Sequence, residues 1–181
     1  MLKIISLFLM TSTSIYGNDI SFYKSIFPKI SKVKKIKVED KISENPINTT
    51  IQVAFNKEGK KLGFIREVNT TTGCNSACLP VIFTLFYNTK YEFLKLKSKT
   101  GLTKKLHRPM TEDDINRLHL LLGINPPIFK TVKHPTDMTD ALTGATKPQY
   151  VDAVVKEAAY STLRINTYNQ DTIFQLKKLA L

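Results

Sequence analysis

Apolar positions in the first half of the chain recur with the period of strands. Ile51, Val53 and Phe55 alternate with polar neighbours, Asn56 to Gly59 carries turn residues, and Leu62 to Val68 returns, which together predict a hairpin. Leu79 to Tyr87 is apolar almost throughout, with Val81, Phe83, Leu85 and Tyr87 on one side and Ile82, Thr84 and Phe86 on the other. That is the pattern of a strand covered on both faces, and it is the expected centre of the sheet. Asn88 to Lys90 turns the chain into a pairing strand, Tyr91 to Leu96. Upstream, Asn18 to Thr49 mixes lysines with isolated apolar residues and holds no sustained period, so it reads as an extended basic arm with one short strand near Ile36 to Val38.

The period then changes to that of a helix. Thr111 precedes Glu112, Asp113 and Asp114, carboxylates that suit the exposed amides of a first helical turn. Ile115, Leu118 and Leu122 form the buried stripe, and Gly123 followed by Asn125-Pro126-Pro127 ends it. A second helix is predicted from Pro148 to about Ile165, with Val151, Val155, Ala159 and Leu163 at four-residue steps; Phe129 to Met138 reads as irregular, and Ile173 to Leu181 as a final short helix or strand. Two hairpins and two main helices predict the α+β class: a small antiparallel sheet packed with helices in a single domain over residues 50–181.

Composition narrows the class further. A chain of 181 residues that is 42% hydrophobic is long enough to bury one core. Residues 1–17 follow the plan of a secretory signal peptide, with Lys3, an apolar run from Ile4 to Met10, and small or polar residues up to Gly17. The run is well short of the roughly 20 apolar residues that cross a bilayer, so no transmembrane span is expected and the protein is placed in the periplasm or otherwise exported. The net charge is +12, and much of the excess lies between Lys24 and Lys41. In an exported protein this disfavours nucleic acid as partner and leaves an anionic membrane surface, an acidic protein, or a merely solvated lysine-rich face.

Two cysteines, Cys74 and Cys78, flank Asn-Ser-Ala in a polar stretch between predicted strands. In an oxidising compartment they are candidates for a structural disulfide closing a tight loop, or for a redox-active pair. His107, His119 and His134 lack the spacing of metal ligands. Asn48-Thr49-Thr50 and Asn69-Thr70-Thr71 match the N-glycosylation acceptor pattern.

The most restrictive segment is Asp140-Ala-Leu-Thr-Gly-Ala-Thr146, which leads through Lys147-Pro148 into the second predicted helix. Gly144 and Ala145 leave the backbone open to a bulky anion, the helix start offers free N–H groups, and Thr146 presents a hydroxyl where a phosphate would lie. Thr146 and Gln149 also fit a capping box without any ligand, and Thr143 fits an ordinary turn residue. The capping reading explains those positions but not Asp140, Gly144 and Ala145 together.

This window resembles the flavinylation signature of the FMN-binding domain family: Asp, a small residue, any residue, Ser or Thr, then Gly-Ala-Thr. Asp140, Ala141, Thr143, Gly144, Ala145 and Thr146 all match. Relatives in that family include FMN-carrying subunits of sodium-translocating NADH:quinone reductase and of ion-translocating ferredoxin:NAD reductase. The chain lacks their membrane anchor and is closer to small exported members, with Val155, Ala158, Tyr160 and Ser161 approximating their continuation. The resemblance implies that a flavin transferase, using FAD and a divalent metal, attaches FMN to Thr146. It also implies that Asp140 presents the loop to that enzyme, and that Thr143 and Gly144 shape the phosphate pocket beside Ala145. The expected role is electron carriage between a membrane or soluble redox partner and an acceptor, more than self-contained catalysis. Lys147 and Tyr150 are placed near such a group. Two alternatives stand beside it: a non-enzymatic binding module of the same fold that uses its basic surface without flavin, and a flavin-dependent thiol reductase using Cys74 and Cys78.

Overall fold

The computed structural model describes residues 20–42, 46–69, 82–98, 112–124 and 153–179. They form an α+β domain around a five-stranded antiparallel sheet whose strands lie in chain order. After a one-turn helix α1 (Ile20–Tyr23) come β1 (Lys32–Lys37), a 3-10 turn (Pro46–Thr49), β2 (Thr50–Phe55), β3 (Lys61–Asn69), β4 (Ile82–Tyr87) and β5 (Phe93–Ser98). Two helices follow, α2 (Glu112–Ile124) and α3 (Ala153–Lys178). The two expected hairpins are β2–β3 and β4–β5; β3 pairs with β4 to join them, and β1 extends the sheet at one side.

Strict alternation sends each strand's residues to two separate cores. Ile51, Val53, Phe64, Val68, Phe83, Leu85, Tyr87 and Leu96 face Leu118 and Leu122 of α2 and Ile165, Tyr168 and Leu176 of α3. Ala54, Ile65 and Phe86 face the other way and are covered by Tyr23, Phe27 and Ile30. The doubly apolar β4 is buried along its whole length, as its sequence requires, although β3 is the middle strand of the sheet.

The second cover comes from the stretch expected to be an extended arm. Its aromatic residues Tyr23 and Phe27 pack edge-on against Phe86 at 6.1 and 5.8 Å between ring centroids, so residues 20–42 belong to the folded body. The strand in this stretch spans Lys32–Lys37 where one near Ile36 to Val38 was expected. Val33 and Ile36, three apart, reach opposite cores, and that spacing hides the two-residue period.

Both hairpins close with the same device. Asn56 N–H donates to the Lys60 carbonyl (3.0 Å) while its side-chain Oδ1 accepts from Lys60 N–H (2.7 Å), and Gly59 sits at φ 79°. In the second hairpin Asn88 N–H donates to the Glu92 carbonyl (3.0 Å), its Oδ1 accepts from Lys90 and Glu92 (2.8 and 3.0 Å), and Tyr91 takes the left-handed position at φ 66°. A tyrosine tolerates that conformation here because its ring lies on Phe64, 5.5 Å away. Gly63 answers a different demand. A Cβ there would lie 2.2 Å from the Tyr87 carbonyl oxygen and 2.7 Å from the Phe27 ring, so only glycine lets β3 and β4 meet under Phe27.

The sheet's two edges are treated differently. α2 packs along β5, with Lys95 Nζ donating to Asn116 Oδ1 at 3.2 Å. At β1, Lys32, Lys34, Lys35 and Lys37 are all exposed, a charge density that blunts pairing with another copy of the strand.

Candidate functional site

Asp140, Thr143, Gly144, Ala145 and Thr146 lie outside the described residues, as do Lys147, Tyr150, residues 1–17, Cys74 and Cys78. What the structure does describe is the element that follows the signature and the way it is fixed to the sheet. Helix α3 runs unbroken for 26 residues from Ala153, where a helix ending near Ile165 and a separate element from Ile173 were expected. The continuation was hidden because the first buried positions past Ile165 are Tyr168, Asn169 and Thr172, polar or partly polar residues that interrupt the apolar stripe before Leu176.

Those polar positions meet a counterpart on the sheet. Arg66 occupies a core-facing position of β3 between Phe64 and Val68 and is completely buried. Its Nη1 donates to Asp171 Oδ2 (2.6 Å) and Thr172 Oγ1 (3.1 Å), and Nε and Nη2 donate to the Asn48 carbonyl (3.3 and 2.9 Å). The guanidinium also lies 5.1 Å from the centre of the Tyr168 ring. With four of its five N–H donors engaged, this buried charge holds α3 in register on the sheet.

A second set of bonds continues from it. Asn48 Nδ2 donates to Tyr168 Oη (2.7 Å) and to the Asn69 carbonyl (3.2 Å), while its Oδ1 accepts from Asn69 N–H (2.7 Å). Tyr168 Oη in turn donates to the Asp40 carboxylate, with both oxygens at 2.9 Å. Asn48 is fully buried, so the first glycosylation triplet presents no acceptor in the folded protein. Tyr87 Oη donates to Asn169 Oδ1 at 2.9 Å, and burial pushes its phenol well above the ordinary value, with Thr172 and Arg66 opposing in part. It is therefore a fixed neutral donor.

On the opposite face Tyr23 Oη donates to Glu67 Oε1 (2.5 Å) and accepts from Gln52 Nε2 (3.0 Å), a smaller bridge between α1 and the sheet. His119 of α2 lies 5.4 Å from the Phe93 ring, with a buried Nδ1 that finds no hydrogen-bond partner among the described residues; burial, then Lys95, lowers its pKa below the ordinary value. Among the described residues no three His, Cys, Asp or Glu side chains gather as metal ligands, and no helix is long and apolar enough to cross a membrane.

None of these polar groups was expected from the sequence to join such a network; Asn48 entered only as a glycosylation acceptor and His119 only as a histidine without ligand spacing. The signal was present for Arg66 alone: a charged residue standing between Phe64 and Val68 on the apolar side of an alternating strand demands a partner. Asn48, Asp40 and Tyr168 carry no such mark, because their meeting depends on a helix more than 100 residues further along the chain.

No known family model matches this chain, and searches of curated proteins and of solved structures return no match.

Proposed function

We propose that this protein is an exported electron-transfer flavoprotein carrying FMN through a phosphoester to Thr146. The observation that carries the reading is the run Asp140-Ala-Leu-Thr-Gly-Ala-Thr146, which fills every required position of the flavinylation signature. Attachment balances as a group transfer. Thr146 Oγ1 bonds to the riboflavin-side phosphorus of FAD, the pyrophosphate bond breaks, AMP leaves, and the hydroxyl proton passes to a base of the transferase. The attached flavin supplies the redox chemistry; the chain's part is to bind it, orient it and exclude water. Asp140 presents the loop to the transferase, and Thr143, Gly144 and Ala145 make room for the phosphate.

The test is intact-mass spectrometry after co-expression with a flavin transferase. The wild-type chain should gain the mass of one FMN less one water and turn yellow, Thr146→Ser should still be modified, and Thr146→Ala should not. An unchanged wild-type mass would falsify the reading. A pure capping role for Thr146 predicts something else: Thr146→Ala would lower stability by about 1 kcal/mol with no flavin on either protein.

A further inference from the structure

The far end of α3 carries a surface that the flavin reading does not use. Phe174 is 62% exposed and Leu179 41% exposed, large apolar groups that a folded chain ordinarily covers. They line a shallow groove of about 290 Å³ together with Val38, Lys37, Lys41 and Lys178. Phe174, Lys177 and Lys178 share one helical face through their three- and four-residue spacing. The groove's two carboxylates are already engaged, Asp171 by buried Arg66 and Glu39 by Lys41 at 3.3 Å. Lys37, Lys177 and Lys178 pair with no carboxylate among the described residues. The exposed lysines of β1 extend the same positive field along the sheet edge.

We infer that this face is a docking surface for an anionic bilayer, with Phe174 and Leu179 entering the headgroup boundary and Lys37, Lys177 and Lys178 facing lipid phosphates. Charge complementarity selects an anionic partner. The side-by-side exposure of an aromatic and an aliphatic group within the lysine ring favours a lipid interface over an acidic polypeptide, which would leave those groups wet. The surface is independent of Thr146, so its failure and that of the flavin reading are separable.

The chain contains no tryptophan, so Phe174→Trp installs a single indole, excited apart from the seven tyrosines, at the surface in question. Full-length Phe174→Trp protein is mixed with vesicles of phosphatidylcholine alone or with phosphatidylglycerol added. The expected result is a blue shift and co-sedimentation with the anionic vesicles only, both reversed by high salt. Each Lys→Glu change at 177 or 178 should weaken partitioning by at least about fivefold, and Phe174→Ala by a similar factor. An apolar leader at Ile4 to Met10 would insert without moving the emission at 174, so binding with unchanged emission overturns the inference. So does a shift produced by polyglutamate but not by anionic vesicles, which would assign the surface to an acidic protein.

Discussion

Asp171→Ala should destabilise the protein more than Arg66→Met does, although the two residues form one ion pair. The asymmetry follows from their surroundings: the Arg66 side chain is 0% exposed and that of Asp171 27% exposed. Without Asp171 the guanidinium keeps the Asn48 carbonyl and Thr172 but loses its ion-pair partner in a buried site, a loss of about 3 kcal/mol. Without Arg66 the carboxylate turns to water, and a methionine of similar length fills the space, so the cost is about 1–2 kcal/mol, set by the unmade bond to the Asn48 carbonyl. The double variant should match Arg66→Met within about 0.5 kcal/mol, because Asp171 has nothing left to neutralise. Urea unfolding followed by circular dichroism reads all four proteins. With a slope of about 2 kcal/mol per molar urea, Asp171→Ala moves the midpoint down by about 1.5 M and the double variant recovers about one third to two thirds of that. Equal losses for the two single variants, or a double variant at the sum of both, would refute the claim that Asp171 exists to balance a charge buried by β3.

Three further outcomes can be checked on the same samples. Gly63→Ala should cost at least about 3 kcal/mol in urea unfolding, since its Cβ would meet the Tyr87 backbone oxygen at 2.2 Å and neither strand can yield without breaking their pairing. Asn48→Ala should cost about 2 kcal/mol by removing the buried bonds that Asn48 makes to Asn69 and Tyr168, and mass spectrometry of protein from a glycosylating host should find Asn48 unmodified. His119 has its pKa lowered in the folded state, so stability is full above the ordinary value of 6.5 and falls as pH drops below it, where only the unfolded chain takes the proton. Melting temperatures between pH 7.5 and 5.5 should show that loss, below about 1 kcal/mol for a half-exposed ring, and His119→Gln should flatten it.

The hairpins were legible because Ile51, Val53 and Phe55 alternate with polar neighbours, and because Asn56 and Asn88 begin turns whose side chains replace backbone acceptors. β4 was legible because both its faces are apolar. β1 was not, since its Val33 and Ile36 serve different cores. Nor was the second half of α3, since Tyr168, Asn169 and Thr172 are buried by bonding to Arg66, Asn48, Asp40 and Tyr87 instead of by hydrophobicity. Residues 20–30 looked like an arm because isolated aromatics carry no period; they are knobs set on Phe86, and only the folded sheet supplies the surface they need. The candidate site was legible as a short string of residue types, and that string remains the ground for the flavin proposal.

The unbroken run of α3 also works as a ruler. At about 1.5 Å per residue its 26 residues set Ala153 and Lys178 roughly 38 Å apart, and the Arg66 clamp fixes the rod's lie on the sheet. If a bilayer docks at the lysine end as inferred above, the helix's starting end can stand clear of it by up to that length, and a second protein could approach there without displacing lipid.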